Sequence, residues 1–188
     1  MNRTNLSRSV HPRPVVVAAV AALLLALVTS VGAEPGNDPR APELVGDCAR
    51  LRVEEGNKVI AHAYAIGVQV YRWNGTSWTF VAPVALLYQD EGYNGEFATH
   101  YVGPTWESNS GSKVVGAVLE RCTPDPDAIP WLLLKATSSE GPGIFDGVTF
   151  IQRVNTTGGL APVDPGEFVG EEVEVPYTAE YYFYRHQG

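Results

Sequence analysis

From residue 44 onward, no stretch of 12 residues carries apolar side chains at the i, i+3, i+4, i+7 spacing that builds one face of a helix. Short runs rich in β-branched and aromatic residues recur instead, each broken by Gly, Pro, Asn or Asp. The clearest cover 58–65, 67–73, 78–81, 84–88, 98–102, 113–121, 131–136, 148–155 and 178–185. Short extended runs closed by turn residues predict an all-β fold: one domain of about nine short strands, as a β-sandwich or a closed β-barrel.

Turn chemistry supports the division. Asn74-Gly75 predicts a tight hairpin with both central residues at positive φ, and Trp73 and Trp78 at its mouth. Pro124-Asp125-Pro126-Asp127 cannot continue a strand, because proline removes ladder donors. Gly141-Pro142-Gly143 and Thr156-Thr157-Gly158-Gly159 mark further turns.

Alternation assigns faces. Gln69, Tyr71 and Trp73 oppose Val68 and Val70; Phe150, Gln152 and Val154 oppose Ile151, Arg153 and Asn155. Both faces of 113–121 read as apolar, and the Trp131-Leu132-Leu133-Leu134 run belongs in the middle of the fold. Buried polar groups need partners, so Gln69, Gln152 and Arg153 either point outward or share one internal network. Tyr181, Tyr182 and Tyr184 must occupy both sides of one strand, which predicts at least one accessible ring.

The N-terminal pattern differs. Arg3, Arg8 and Arg13 precede 14 unbroken apolar residues, Val15 to Val28, and Val31-Gly32-Ala33 offers a cleavage site. Fourteen residues are too few to cross a hydrocarbon layer of about 30 Å. Residues 1–33 are therefore read as a signal peptide and 34–43 as a flexible, proline-rich lead-in. Residues 44–188 are the all-β domain, expected to be secreted with no stable membrane anchor after cleavage. Cys48 and Cys122 are the only cysteines, and an oxidising compartment favours joining them in a disulfide.

Charge narrows the partners. The chain carries 13 Lys+Arg against 21 Asp+Glu, a formal net of −8, and three of those arginines lie in the leader. Such a domain cannot neutralise a row of phosphates, so no nucleic-acid partner is expected, nor a polybasic membrane contact. No calcium-loop pattern and no closely spaced Cys/His set occurs, so no metal or cofactor is expected.

Several stretches carry a family likeness: Gly67-Val68-Gln69-Val70-Tyr71, Phe80-Val81-Ala82-Pro83, His100-Tyr101-Val102-Gly103-Pro104-Thr105-Trp106-Glu107, Gly111-Ser112-Lys113-Val114-Val115-Gly116 and Ala128-Ile129-Pro130-Trp131. Val148-Thr149-Phe150-Ile151-Gln152-Arg153-Val154-Asn155 and Val175-Pro176-Tyr177-Thr178 complete the series. In order, they resemble the exported bacterial and fungal family known as domain of unknown function 3455. The resemblance implies no catalytic residues. A dehydrogenase label attached to some relatives gains no support here: Gly141, Gly143 and Gly147 miss the G-x-G-x-x-G spacing by one residue.

The candidate chemistry lies in His100, Trp106 and Glu107, which bring an imidazole, an indole and a carboxylate to one Gly-Pro turn. A site is expected where these meet Gln69, Arg153 and Asn155, with Arg153 pairing either Glu107 or a ligand's anionic group. Trp73, Trp78 and Trp106 lie beside turns and are candidates for surface recognition. The leading expectation is a non-catalytic binding module for an extracellular glycan, small ligand or protein. The alternatives are a secreted hydrolase using His100 with Glu107 or a nearby Asp, and a structural envelope component. The sequons at Asn74 and Asn155 are assigned no role.

Overall fold

The computed structural model describes Met1 and residues 40–188; the expected signal peptide 1–33 and most of the lead-in lie outside the described residues. Eight antiparallel strands run in chain order around a closed barrel: β1 (Asn57–Trp73), β2 (Trp78–Tyr88), β3 (Glu96–Tyr101), β4 (Thr105–Ser108), β5 (Lys113–Cys122), β6 (Trp131–Glu140), β7 (Val148–Gly158) and β8 (Glu172–His186). The all-β expectation holds, and β8 pairing with β1 along most of its length selects the barrel over the sandwich. Closure leaves no edge strand at that seam.

The count of nine becomes eight for two physical reasons. Gly67 and Pro83 read as strand breaks, but each lies inside a long strand, and they flank one close approach of β1 to β2. Gly67 pairs with Ala85, and a Cβ on Gly67 would sit 2.2 Å from the Val84 carbonyl oxygen. Only glycine fits there. Pro83 pairs with Gln69 on β1, while β3 joins β2 only from Ala85 onward. Its missing N–H therefore breaks no ladder on the other side. In the opposite sense, β4 is four residues long and follows the Gly103-Pro104 turn directly, so the sequence reads it as part of that turn.

The first hairpin also differs from expectation. Trp73 and Trp78 do pair, with ring centroids 5.4 Å apart. The loop holds four residues, however, and only Gly75 takes positive φ. Asn74 accepts the Thr76 and Ser77 amides through Oδ1, each at 2.9 Å, so its side chain does the turning.

Two apolar clusters form on the two sides of the barrel wall. Inside, Ala63, Ala65, Ala85 and Ala98 from β1–β3 face Trp106, Tyr181 and Phe183 from β4 and β8. Small residues on one arc and large rings on the other fill a narrow barrel. Outside, a 3-10 turn (Gly46–Leu51) lies against β5 and β6, and Leu44, Cys48 and Leu51 share one apolar cluster with Val154 of β7 and Tyr182 and Tyr184 of β8. The expected disulfide joins Cys48 on that turn to Cys122 at the end of β5, with Cα atoms 5.3 Å apart.

This outer layer corrects the tyrosine expectation. Tyr181 faces inward, while Tyr182 and Tyr184 lie beneath the N-terminal segment, and all three are buried. Gln152 is also on the outer face, where its Nε2 donates to the Leu51 carbonyl at 2.6 Å and its Oε1 accepts the Tyr184 hydroxyl. Leu133 and Leu134 sit in opposite clusters, as a two-faced strand requires. On β5, by contrast, Val114 is buried but Val118 and Leu119 are exposed.

That exposure has a topological cause. β4 pairs with β5 only from Lys113 to Val115, and β3 pairs with β2 only from Ala85 to Tyr88. The short β3–β4 hairpin leaves the first half of β2 and the second half of β5 without a strand between them. The barrel wall is notched there.

Candidate functional site

The notch opens into a cavity of about 340 Å³. Phe80 and Pro83 of β2, Val118 of β5, and the Gly103-Pro104 turn line its sides. His100, Trp106 and Tyr181 line it more deeply. The volume is at the small end of the roughly 300–1,000 Å³ typical of small-molecule sites.

Its wall is built from cross-strand pairs. His100 on β3 lies directly opposite Trp106 on β4, and their rings stack at 4.3 Å and 5°. Tyr181 meets Trp106 edge-on at 5.4 Å. The fold places His100 at 3% and Trp106 at 1% exposure, so Trp106 is not the surface aromatic expected from its turn-side position. His100 Nδ1 donates to the Thr105 carbonyl at 2.8 Å. Burial lowers the imidazole pKa to about 3, and the Arg153 charge acts in the same direction against the hydrogen bond to Thr105. The ring is neutral at ordinary pH. With the proton on Nδ1, Nε2 is an acceptor.

Across the cavity, the segment before β6 folds over the mouth. Thr156 donates its hydroxyl to the Ile129 carbonyl at 2.5 Å, and the Ile129 amide donates to Gly158 at 2.9 Å. This carries the Pro130 carbonyl to Arg153, which donates to it through Nε at 3.2 Å and Nη2 at 2.8 Å. Tyr71 is tied in by its hydroxyl, which donates to Gly159 at 2.7 Å. No carboxylate among the described residues lies within ion-pair distance of Arg153.

Two buried donors in the wall have no protein partner: Gln69 Nε2 and Trp106 Nε1. Gln69 lies close enough to the Tyr177 hydroxyl to oppose slightly the rise that burial imposes on that phenol, yet its amide makes no hydrogen bond of normal geometry. Both residues line the cavity, but these two nitrogen atoms are packed within the wall and are not exposed to it.

Four of the six expected residues thus line one cavity: Gln69, His100, Trp106 and Arg153. The other two do not. Glu107 follows Trp106 on the same strand, so alternation turns it outward. There it accepts the Tyr101 hydroxyl at 2.5 Å and lies 3.4 Å from Lys113 Nζ. The Tyr101 hydroxyl first, then Lys113, hold its carboxyl below the usual range. The expected contacts of Glu107 with His100 and Arg153 are absent. Asn155 is re-aimed by an irregularity in β7, where register shifts between Val154 and Thr157 and Asn155 itself takes φ of +50°. Its Nδ2 donates to Glu180 on the outer wall at 2.8 Å.

A histidine–carboxylate pair does form on that outer wall, between residues the sequence did not single out together. His62 Nε2 lies 2.7 Å from Glu180 Oε2, and Tyr182 stacks on the imidazole at 4.1 Å. Tyr182 also donates to Glu180 at 3.1 Å. Contact with His62, and then the Asn155 amide, lowers the Glu180 pKa against its partial burial. Strand parity already put Tyr71 on the face of Gln69, and it puts Tyr181 on that of Tyr177. Nothing in the sequence brings Pro130 to Arg153.

Among the described residues no group of three or more metal-ligating side chains gathers, and no helix is long and apolar enough to cross a membrane. No curated protein and no solved structure matches the chain significantly. Residues 54–185, which include every strand that lines the cavity, match the family described as protein of unknown function DUF3455, and the chain belongs to that family.

Proposed function

We propose that this protein is an exported, non-catalytic binding domain that takes one small ligand into the notched mouth of its barrel. The cavity carries the reading: its wall is mainly apolar and adds a few polar residues, among them Arg121, Arg153 and His100. Such a combination suits a small molecule with an apolar body and a few polar atoms. It suits a glycan platform less, since Trp73 and Trp78 pack against each other and Trp78 Nε1 donates to the Asp164 carbonyl at 2.9 Å. The leader pattern and the disulfide support export.

Chemistry at the cavity has little to work with. Its lining contains no Ser, Thr, Cys, Lys, Asp or Glu, and its one histidine is held neutral. The hydrolase alternative would have to use His62 and Glu180 instead. There no nucleophile bonds the imidazole among the described residues.

A thermal-shift screen of the purified protein against short-chain acids, amides, alcohols and monosaccharides tests the reading. A ligand at 100 times its Kd stabilises the fold by about 2.7 kcal/mol. At least one probe is expected to raise the Tm of the wild type but not of Val118→Trp, which fills the notch. A panel with no stabilising member, or equal shifts in both proteins, would overturn the proposal.

A further inference from the structure

Resting on that reading, we infer that the cavity selects an anion: a small monocarboxylic acid whose carboxylate is received by Arg153 and whose apolar body lies among the wall residues. Two features point there.

The first is charge. The chain as a whole is acidic, with 21 Asp+Glu against 13 Lys+Arg, yet the cavity lining holds two arginines, Arg121 and Arg153, and no acid. An acidic protein that clears its carboxylates from one pocket and keeps cations there has a local field opposite to its global one. The second is pairing. Arg153 is part-buried and spends two donors on the neutral Pro130 carbonyl, which fixes the guanidinium plane without compensating its charge. A partly buried guanidinium without a counter-ion keeps donors and charge available, and a carboxylate would use both. An ammonium would be repelled by these arginines, and a neutral amide offers an oxygen without the charge; a carboxylate offers two oxygens and the charge together.

His100 adds detail. His100 Nε2 is an acceptor, because Nδ1 carries the ring proton. An acid that also bears one hydroxyl would satisfy it.

Isothermal titration of the full-length purified protein at pH 7 with octanoate and phenylacetate, against octanamide, phenylacetamide and octylammonium, decides the matter. The acids are expected to bind about tenfold or more tightly than their amides, since a hydrogen bond to a charged group outweighs a neutral one by at least that factor. Arg153→Gln should bring the acid-to-amide ratio close to one. Circular dichroism checks that each variant is folded, and Arg153→Lys, which keeps the charge, should retain part of the preference if Arg153→Gln does not fold. Amides binding as tightly as acids would overturn the anion inference and leave the binding domain standing. No binding by any probe, acid or neutral, would remove both.

Discussion

At the scale of single residues, burial decides what each polar side chain is able to do. His100 shows it most clearly. An imidazole near a carboxylate suggests proton transfer, but inside the barrel His100 is stacked on Trp106 and has no acid beside it. Its folded pKa of about 3 lies well below the 6.5 of a solvated ring. As pH falls below about 6.5, the unfolded chain takes up a proton that the folded chain refuses, so stability is lost progressively toward pH 3. Urea denaturation between pH 7 and pH 4 should show wild type losing about 1 kcal/mol more per pH unit than His100→Asn, which keeps a donor for the Thr105 carbonyl. Parallel stability profiles for the two proteins would mean that the ring protonates freely within the fold. Glu107 is the converse case: one step along the chain from a buried tryptophan, alternation places it in solvent with Tyr101 and Lys113.

Among strands, the informative elements are those whose length differs from their sequence signature. β1 and β2 run through residues that ordinarily end strands, and the reason is the crossing of their backbones at Gly67. Gly67→Ala would push its methyl carbon to within 2.5 Å of the Ala85 Cα, so the two strands must separate along their shared ladder. The expected cost is about 3 kcal/mol or more, read as a lowered urea midpoint with unchanged slope. An alanine variant as stable as wild type would show that β1 and β2 can part there freely. β3 and β4 are short in the opposite sense, and their shortness matters for function. Longer strands would have continued the wall across the notch and closed the cavity.

For the whole molecule, the barrel is one cored object and the N-terminal segment gives it a second. Leu51 and Cys48 sit on the outer face over β5 and β6, in one apolar cluster with Val154, Tyr182 and Tyr184, and the disulfide pins that cover to β5. Replacing both cysteines, as Cys48→Ser with Cys122→Ser, should cost roughly 2–5 kcal/mol. Hydrogen exchange should localise the loss to Gly46–Leu51 and to the strands beneath, while β2–β4 keep their protection. Uniformly faster exchange throughout the barrel would mean that the bridge supports the fold as a whole and not its outer layer.

The period-two alternation, the turn residues and the paired cysteines were enough to specify an all-β domain with one disulfide, because those signals are local or follow from chemistry that does not depend on folding. They also placed Gln69 on the face of Tyr71, and Arg153 opposite Gln152, since parity along an extended chain is a local property. Which face became the inside was not local. It depended on closure of β8 on β1 and on a separate segment covering the outside, and both are contacts between residues far apart in the chain. For the same reason Glu107 and Asn155 left the expected site while Pro130 and Tyr181 entered it. Only the folded barrel could bring Arg121 and Arg153 to one cavity and leave every acid outside its lining.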